Sequence, residues 1–187
     1  NKSLEAPVLR GIDLEVERGE FLGIMGKSGA GKSTLMYQIG LLDHPTSGEI
    51  VLDGVSTEAL SMKERTKMRL FELGYVFQDY ALIPELTAGE NVIIPLLMQG
   101  KSTSEARKIT ENILERIGLS SRIENLPSQL SGGEQQRVSI ARAMAHEPKI
   151  LFADEPTANL DTASGSSVIA LFNDLNKKGQ TIVMVTH

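Results

Sequence analysis

The chain has 187 residues, 41% hydrophobic and 23% charged, which suits one soluble globular domain with a sizeable core. A formal charge of -5 gives no overall basic footprint, so nucleic acid is not expected as a partner. Cysteine is absent, which excludes disulfides, thiol chemistry and cysteine metal sites and fits a reducing compartment.

In chain order, Ile12, Leu14 and Val16 alternate with Asp13 and Glu15, the pattern of a half-buried strand. Residues 21–25 are almost continuously apolar and predict a buried strand. A glycine-rich turn follows, then a helix over about 32–41. The turn at Pro45 to Gly48 leads to a strand over 49–53, closed by Gly54. Ser61 with Glu64 forms a capping box for a helix reaching about residue 73, and residues 75–77 make a short strand. From Asp79 to about Leu130 the pattern is helical, with a second Ser–Glu pair at Ser102 and Glu105 and apolar Ile109, Ile113 and Ile117. The longest apolar run, 92–98, is broken by Pro95 and is far shorter than the ~20 residues that span a bilayer. No signal peptide is visible, so a membrane role would need a partner. A helix over about 133–145 ends at Pro148. Residues 150–153 form a buried strand. Val168, Leu171, Phe172 and Leu175 stripe a helix that Gly179 stops, and 181–185 form another buried strand. Buried strands alternating with helices predict an α/β core.

Three local patterns carry chemistry. Gly26, Lys27, Ser28, Gly29, Ala30, Gly31, Lys32 and Ser33, with Thr34 next, fit the phosphate-loop pattern after a strand and before a helix. Small residues let backbone N–H groups face phosphate oxygens, and the helix N-terminus adds partial positive charge. Lys32 can reach the β- and γ-phosphates and Ser33 can ligand Mg2+, while Lys27 reads as a solvated side chain. The strand at 150–153 ends in Asp154 and Glu155. Strand ends in such sheets face the ligand crevice, so Asp154 is suited to the metal's shell and Glu155 to polarising an attacking water. Gln78 and His187 also follow strands. The Gln78 amide could join the Mg2+ and water network, and His187 could donate to the γ-phosphate. His44 and His146 lack such company and are read as surface residues. The third pattern is Leu130-Ser131-Gly132-Gly133-Glu134, a glycine turn opening a helix and a second anion site.

The order of phosphate loop, Gln78, L-S-G-G-E, A-D-E-P and V-T-H resembles the nucleotide-binding domain of an ABC (ATP-binding cassette) ATPase over nearly the whole chain. Within that family, residues 41–48 and 83–92 resemble the MacB/LolD/FtsE-type subfamily. The resemblance implies a P-loop NTPase fold with a mainly parallel central sheet, an N-terminal antiparallel β part and a helical insertion. It implies one nucleotide-binding domain over residues 1–187, truncated at both ends, with a helical subdomain at about 79–145. It implies ATP and Mg2+ as ligands, with Lys32, Gln78, Glu155 and His187 catalytic and Ser33, Gln78 and Asp154 at the metal. It also implies a head-to-tail homodimer in which Ser131 and Gly133 of one copy face the ATP held by the other. Asp161, in the Ala158-Asn159-Leu160-Asp161 segment, lies at that interface.

A membrane permease subunit would dock near Tyr80, Ala81, Leu82 and Ile83, although these residues equally suit the insertion's own core. The resemblance places the protein in the cytoplasm, peripheral on the inner face of the plasma membrane. The family's adenine-stacking aromatic is unassigned, because the first aromatic is Phe21, inside a strand.

The competing reading is a soluble ABC ATPase of DNA repair, chromosome structure or translation. The interval between the phosphate loop and the signature lacks the sustained heptads of the first two. The chain has room for one cassette rather than the tandem pair of translation factors. A binding module without turnover would be expected to lack Glu155, which is present. A GTPase is excluded by the absence of N-K-x-D.

Overall fold

The computed structural model describes residues 8–187. Its main sheet has four strands: β1 (Phe21–Met25), β4 (Leu73–Val76), β5 (Ile150–Asp154) and β6 (Thr181–Thr186). Their spatial order is β1-β6-β5-β4, and every pairing is parallel. The register sets Phe21 beside Ile182, Ile150 beside Thr181 and Leu73 beside Ile150. Parallel strands need helical crossovers, and burial on both faces makes their sequences continuously apolar. That explains why the runs at 21–25, 150–153 and 181–185 were readable.

The crossover helices are α1 (Lys32–Ile39), α2 (Met62–Glu72), α5 (Gly132–Met144) and α6 (Thr162–Lys177). Two apolar clusters, built partly from alternate residues of β5 and β6, hold these layers together. One gathers Leu151, Ala153, Ile182 and Met184 with Val168 and Phe172 of α6. The other gathers Phe152, Val183 and Val185 with Met36 and Leu41. The alternation is the two-residue period of a strand with both faces covered.

Between β4 and α5 lie α3 (Ala88–Met98) and α4 (Thr103–Arg116). Val92, Leu96, Ala106 and Leu114 from these helices pack with Val138 and Ala141 of α5 in a third apolar cluster. Helix α3 begins at a reciprocal capping box of Thr87 and Glu90 that the sequence reading passed over. It also runs through Pro95 rather than ending there.

The capping box at Ser61 and Glu64 forms as expected, and α2 passes straight into β4 at Leu73. At Ser102 only half a box forms. The Ser102 hydroxyl accepts the Glu105 N–H, but the Glu105 carboxylate turns to Lys101 at 2.8 Å. The cation outcompetes a neutral backbone donor for the same oxygen.

The expected strand at 12–16 is not formed. Ile12 and Leu14 are 49% and 44% exposed. Alternation supplies a face, but a strand also needs a neighbour for its N–H and C=O groups, and the described residues supply none. The antiparallel part is a short hairpin of β2 (Val51–Leu52) and β3 (Val55–Ser56) around Asp53-Gly54, with positive φ at both turn residues.

Candidate functional site

Because the four strands are parallel, their C-terminal ends share one edge of the sheet. The phosphate loop follows β1, Gln78 follows β4, Asp154 closes β5 with Glu155 next, and His187 follows β6. Topology thus gathers residues that are up to 161 positions apart, from Gly26 to His187.

The loop from Gly26 to Ser33 curls before α1. Gly29 and Gly31 have φ of 77° and 87°, and Gly31 is the N-cap of α1. Only glycine adopts that left-handed geometry without penalty, which frees the loop to turn its N–H groups inward. A cavity of ≈ 220 Å³ opens here, lined by residues 28–34 with Val8 and Glu155. A larger depression of ≈ 500 Å³ runs along α6 past Thr157, Leu160 and Ile169 and contains none of the strand-end groups.

Lys32 is only 8% exposed. Its ammonium donates to the carbonyls of Gly26 at 2.9 Å and Lys27 at 3.3 Å, and lies 3.9 Å from Glu155 Oε1. The same Oε1 is 2.7 Å from His187 Nε2. Glu155 has a φ of 45°, and its N–H donates to the Val185 carbonyl at 2.9 Å. The chain therefore leaves β5 through a strained residue that holds its carboxylate between an ammonium and an imidazole.

Asp154 is buried, 5% exposed, and accepts two hydroxyls. Ser33 Oγ donates to Oδ1 at 3.0 Å and Tyr37 Oη donates to Oδ2 at 2.9 Å. Burial and then the bond to Asp154 push the Tyr37 phenol up to about 12. Among the described residues no cation lies within salt-bridge range of Asp154, whose two oxygens are held by hydroxyls alone. An oxygen-only pair of hydroxyl and carboxylate suits Mg2+, which binds few protein oxygens and keeps waters or phosphates for the rest. Among the described residues no cluster of three or more His, Cys, Asp or Glu forms an all-protein cage.

The segment after β4 is joined to two others. Gln78 is exposed, and its carbonyl accepts Asn159 Nδ2 at 3.2 Å. The same Nδ2 donates to Asp79 Oδ1 at 3.3 Å. Tyr80 and Ala81 both have left-handed φ, 59° and 49°. The Arg142 guanidinium of α5 donates to both their carbonyls, at 3.0 Å to Tyr80 and 2.5 Å to Ala81. Burial lowers the Arg142 pKa, yet guanidinium stays charged, so these two bonds are charge-assisted. Leu82 packs on the cluster of α3, α4 and α5, whereas Ile83 is 41% exposed. The apolar segment is thus split between core and surface.

Ser131 caps α5 with a full reciprocal box. Its hydroxyl accepts the Glu134 N–H, and Glu134 accepts the Ser131 N–H. That N–H, more than any other contact, holds the Glu134 carboxyl below its ordinary range. A Cβ on Gly133 would sit 3.0 Å from Ser164 Cβ and Oγ of α6, so the turn must be bare to pack there. Ser131 and Gly133 are not among the residues lining the phosphate cavity of their own chain. Asp161 serves as the N-cap of α6: Oδ1 accepts the N–H groups of Ala163 and Ser164, and Oδ2 accepts the Ser164 hydroxyl at 2.7 Å.

Sequence reasoning missed Tyr37 and Arg142. Tyr37 had a signal, since it lies four residues after Ser33 on one helix face. Arg142 had none, since its partners are 61 and 62 positions away. His146 is corrected from a surface residue. Its Nε2 is 3.0 Å from the Leu73 carbonyl, its Nδ1 is buried without a partner, and burial pushes its pKa down.

A parallel sheet with a glycine phosphate cradle, a buried lysine and two carboxylates at one strand end defines a phosphate-loop nucleoside-triphosphate-binding protein. The added glycine turn at the head of α5 narrows that class, and the chain belongs to the ABC transporter family, whose family model matches residues 9–158. The lipoprotein-releasing system ATP-binding protein LolD of Aquifex aeolicus is 52% identical over 180 residues, 96% of this chain and 80% of that protein. The macrolide export ATP-binding/permease protein MacB of Rhodopirellula baltica is 46% identical over 186 residues, 98% of this chain and 27% of that longer protein. The solved structure of the ATP-binding cassette MJ0796, dimeric in a post-hydrolysis state bound to ADP and Pi, aligns with a TM-score of 0.88 at 45% identity. That alignment covers 96% of this chain and 80% of that one.

Proposed function

We propose that the chain is the ATP-hydrolysing subunit of a membrane transporter of the lipoprotein-release and macrolide-export type. It works as a head-to-tail dimer with ATP at the interface, held at the cytoplasmic face of the membrane by an integral permease. Residues 79–145 are its helical subdomain. The observation that carries this reading is the convergence of Lys32, Glu155 and His187 beside the Ser33–Asp154 pair at one sheet edge.

In this reading the loop from Gly26 to Thr34 holds the phosphates and Lys32 exchanges its carbonyl partners for phosphate oxygens. Ser33 and Asp154 hold Mg2+, with Gln78 joining them. Mg2+ held there would supply positive charge to neutralise the phosphates and help orient the triphosphate. Glu155, fixed by its strained backbone, accepts a proton from water. His187 holds that carboxylate on its other side and donates toward the γ-phosphate. Ser131 and Gly133 close on the partner's triphosphate, with Asp161 nearby.

The soluble alternative is disfavoured by the interval after Gln78. It holds short helices packed into their own core, the longest being the 14-residue α4, with no coiled coil.

The test is Mg2+-dependent ATP turnover by Glu155→Gln. Loss of a general base should slow turnover about 10²- to 10⁴-fold while ATP-bound dimer accumulates on size-exclusion chromatography. Full turnover in that variant would remove Glu155 from the mechanism.

A further inference from the structure

We propose that Tyr37 is a positioning residue for the metal site, and that its hydroxyl sets the orientation of Asp154. The inference rests on the reading of Ser33 and Asp154 as the Mg2+ residues. Asp154 ends β5 and is 5% exposed, so solvent does little to fix or solvate its carboxylate. Its two oxygens are held by two hydroxyls of α1: Ser33 on Oδ1 at 3.0 Å and Tyr37 on Oδ2 at 2.9 Å.

The i, i+4 spacing brings both hydroxyls down from adjacent turns of one helix face. The two bonds together fix both the direction and the rotation of the carboxylate plane, which one bond would leave free.

The two hydroxyls differ in their duties. Ser33 belongs to the phosphate loop and offers its oxygen to the metal. Tyr37 is outside the loop, and Asp154 is the one partner of its hydroxyl among the described residues. Its backbone is pinned as well, because the Tyr37 carbonyl accepts the N–H groups of Leu42 at 2.8 Å and Asp43 at 3.1 Å. The ring packs against the cluster of Met36, Leu41 and Phe152. The phenol is thus a rigid strut between helix and strand end. With Oδ2 tied, Oδ1 is the oxygen turned toward Ser33. Partners that orient a metal-binding carboxylate typically govern metal affinity by 10- to 100-fold.

The experiment is Tyr37→Phe, which deletes one oxygen and keeps the ring. Mg2+ is titrated against the protein with a fluorescent non-hydrolysable ATP analogue, and Mn2+ binding to the same complex is followed by electron paramagnetic resonance. We expect the half-saturating Mg2+ and the Mn2+ dissociation constant to rise roughly tenfold. Nucleotide affinity in EDTA should stay unchanged.

A metal requirement within about twofold of the parent would overturn the inference, being far below the 10- to 100-fold range of an orienting partner. So would a metal-free melting temperature lowered by more than about 5 °C, which would make Tyr37 a packing residue instead. Asp154→Asn and Ser33→Ala separate the two levels. If they raise the Mg2+ requirement and Tyr37→Phe does not, only the role of Tyr37 fails. If neither raises it, the metal assignment itself fails.

Discussion

Gly74→Ala tests whether the head of α5 must be held in place for turnover. Gly74 lies in β4, at the opposite edge of the sheet from β1 and its phosphate loop. A Cβ there would sit 2.4 Å from the Ala143 carbonyl oxygen and 3.0 Å from both Leu151 Cδ1 and Pro148 Cγ. Carbon and oxygen tolerate about 3.3 Å, so α5 must retreat by roughly 0.9 Å from β4. The obstructing atom is backbone, which cannot rotate away. The overpacking penalty should therefore be near the upper end of its usual range, about 3 kcal/mol. In a chain of this size that lowers the melting temperature by about 6–12 °C.

The retreat also travels. Helix α5 is 13 residues long, so Ser131 lies about 20 Å up the axis from the point of contact. A misplacement near 1 Å at a reacting group can reduce rate by about 10²-fold. The variant should thus bind ATP to the monomer as the parent does, melt earlier, and hydrolyse slowly. Calorimetry, nucleotide titration and phosphate release measure the three in turn. A melting temperature within about 1 °C of the parent, with normal turnover, would refute the close-approach argument.

Asp161→Ala should lower the melting temperature by about 2–4 °C through loss of the α6 cap, whereas Asp161→Asn should keep it, since Asn caps equally well. Turnover lost in Asp161→Asn without a change in melting would show that the carboxylate acts at the dimer interface beyond its capping bonds. His146 gives a pH signature. Its folded pKa lies below its ordinary 6.5, so in the window just below 6.5 the unfolded chain binds more protons than the folded one. Stability should therefore fall as pH drops below 6.5, by at most about 1.4 kcal/mol per pH unit for one proton. His146→Gln should flatten that slope in denaturant titrations at pH 5.5 and 7.5, and an unchanged slope would clear His146 of the effect.

What the sequence revealed was whatever depends on neighbours in the chain. The phosphate loop, the capping box at Ser61 and the apolar strands at 150–153 and 181–185 are local, and each formed where expected. The strand at 12–16 was misread because alternation says nothing about whether a partner strand exists. The box at Ser102 half-failed because Lys101, an ordinary surface cation in the sequence, captured Glu105. Tyr37, whose one signal was its spacing from Ser33, and Arg142 and His146, which had none, were hidden for a different reason. Their partners are Asp154, Tyr80 with Ala81, and Leu73, which are 117, 61–62 and 73 positions away. In the sequence Arg142 is simply a basic residue in the last turn of a helix, the commonest place for one. Asp161 was legible as an interface candidate, while its capping bonds went unread, although an Asp three residues before a serine at a helix start is also a good cap.

The two halves of the candidate site are held by different means, one by sheet register and the other by helix packing. Asp154, Glu155 and His187 sit on or directly beyond strands whose registers are fixed by parallel hydrogen bonds along their length, and Lys32, the first residue of α1, meets Glu155 there. The sheet sets the backbone positions of Asp154 and Glu155. Ser131 sits at the N-terminal end of α5, whose middle packs on α3 and α4 through Val138 and Ala141 and whose first turn meets α6 where Gly133 lies against Ser164. Near the C-terminal end of α5 Ala143 lies against Gly74, a backbone-to-backbone approach that allows little travel. One residue earlier, Arg142 grips the carbonyls of Tyr80 and Ala81. Those two residues hold left-handed φ values that cost of order 1–3 kcal/mol each, so the loop stays there only while its surroundings hold it. The same loop carries Gln78 toward the strand edge and is tied by Asn159 to the segment leading into α6. In the proposed mechanism a shift of Gln78 would therefore be passed through Tyr80 and Ala81 to Arg142 of α5. Helix α5 presents its capped glycine turn outside the phosphate cavity of its own chain, as a site completed by a second copy would require.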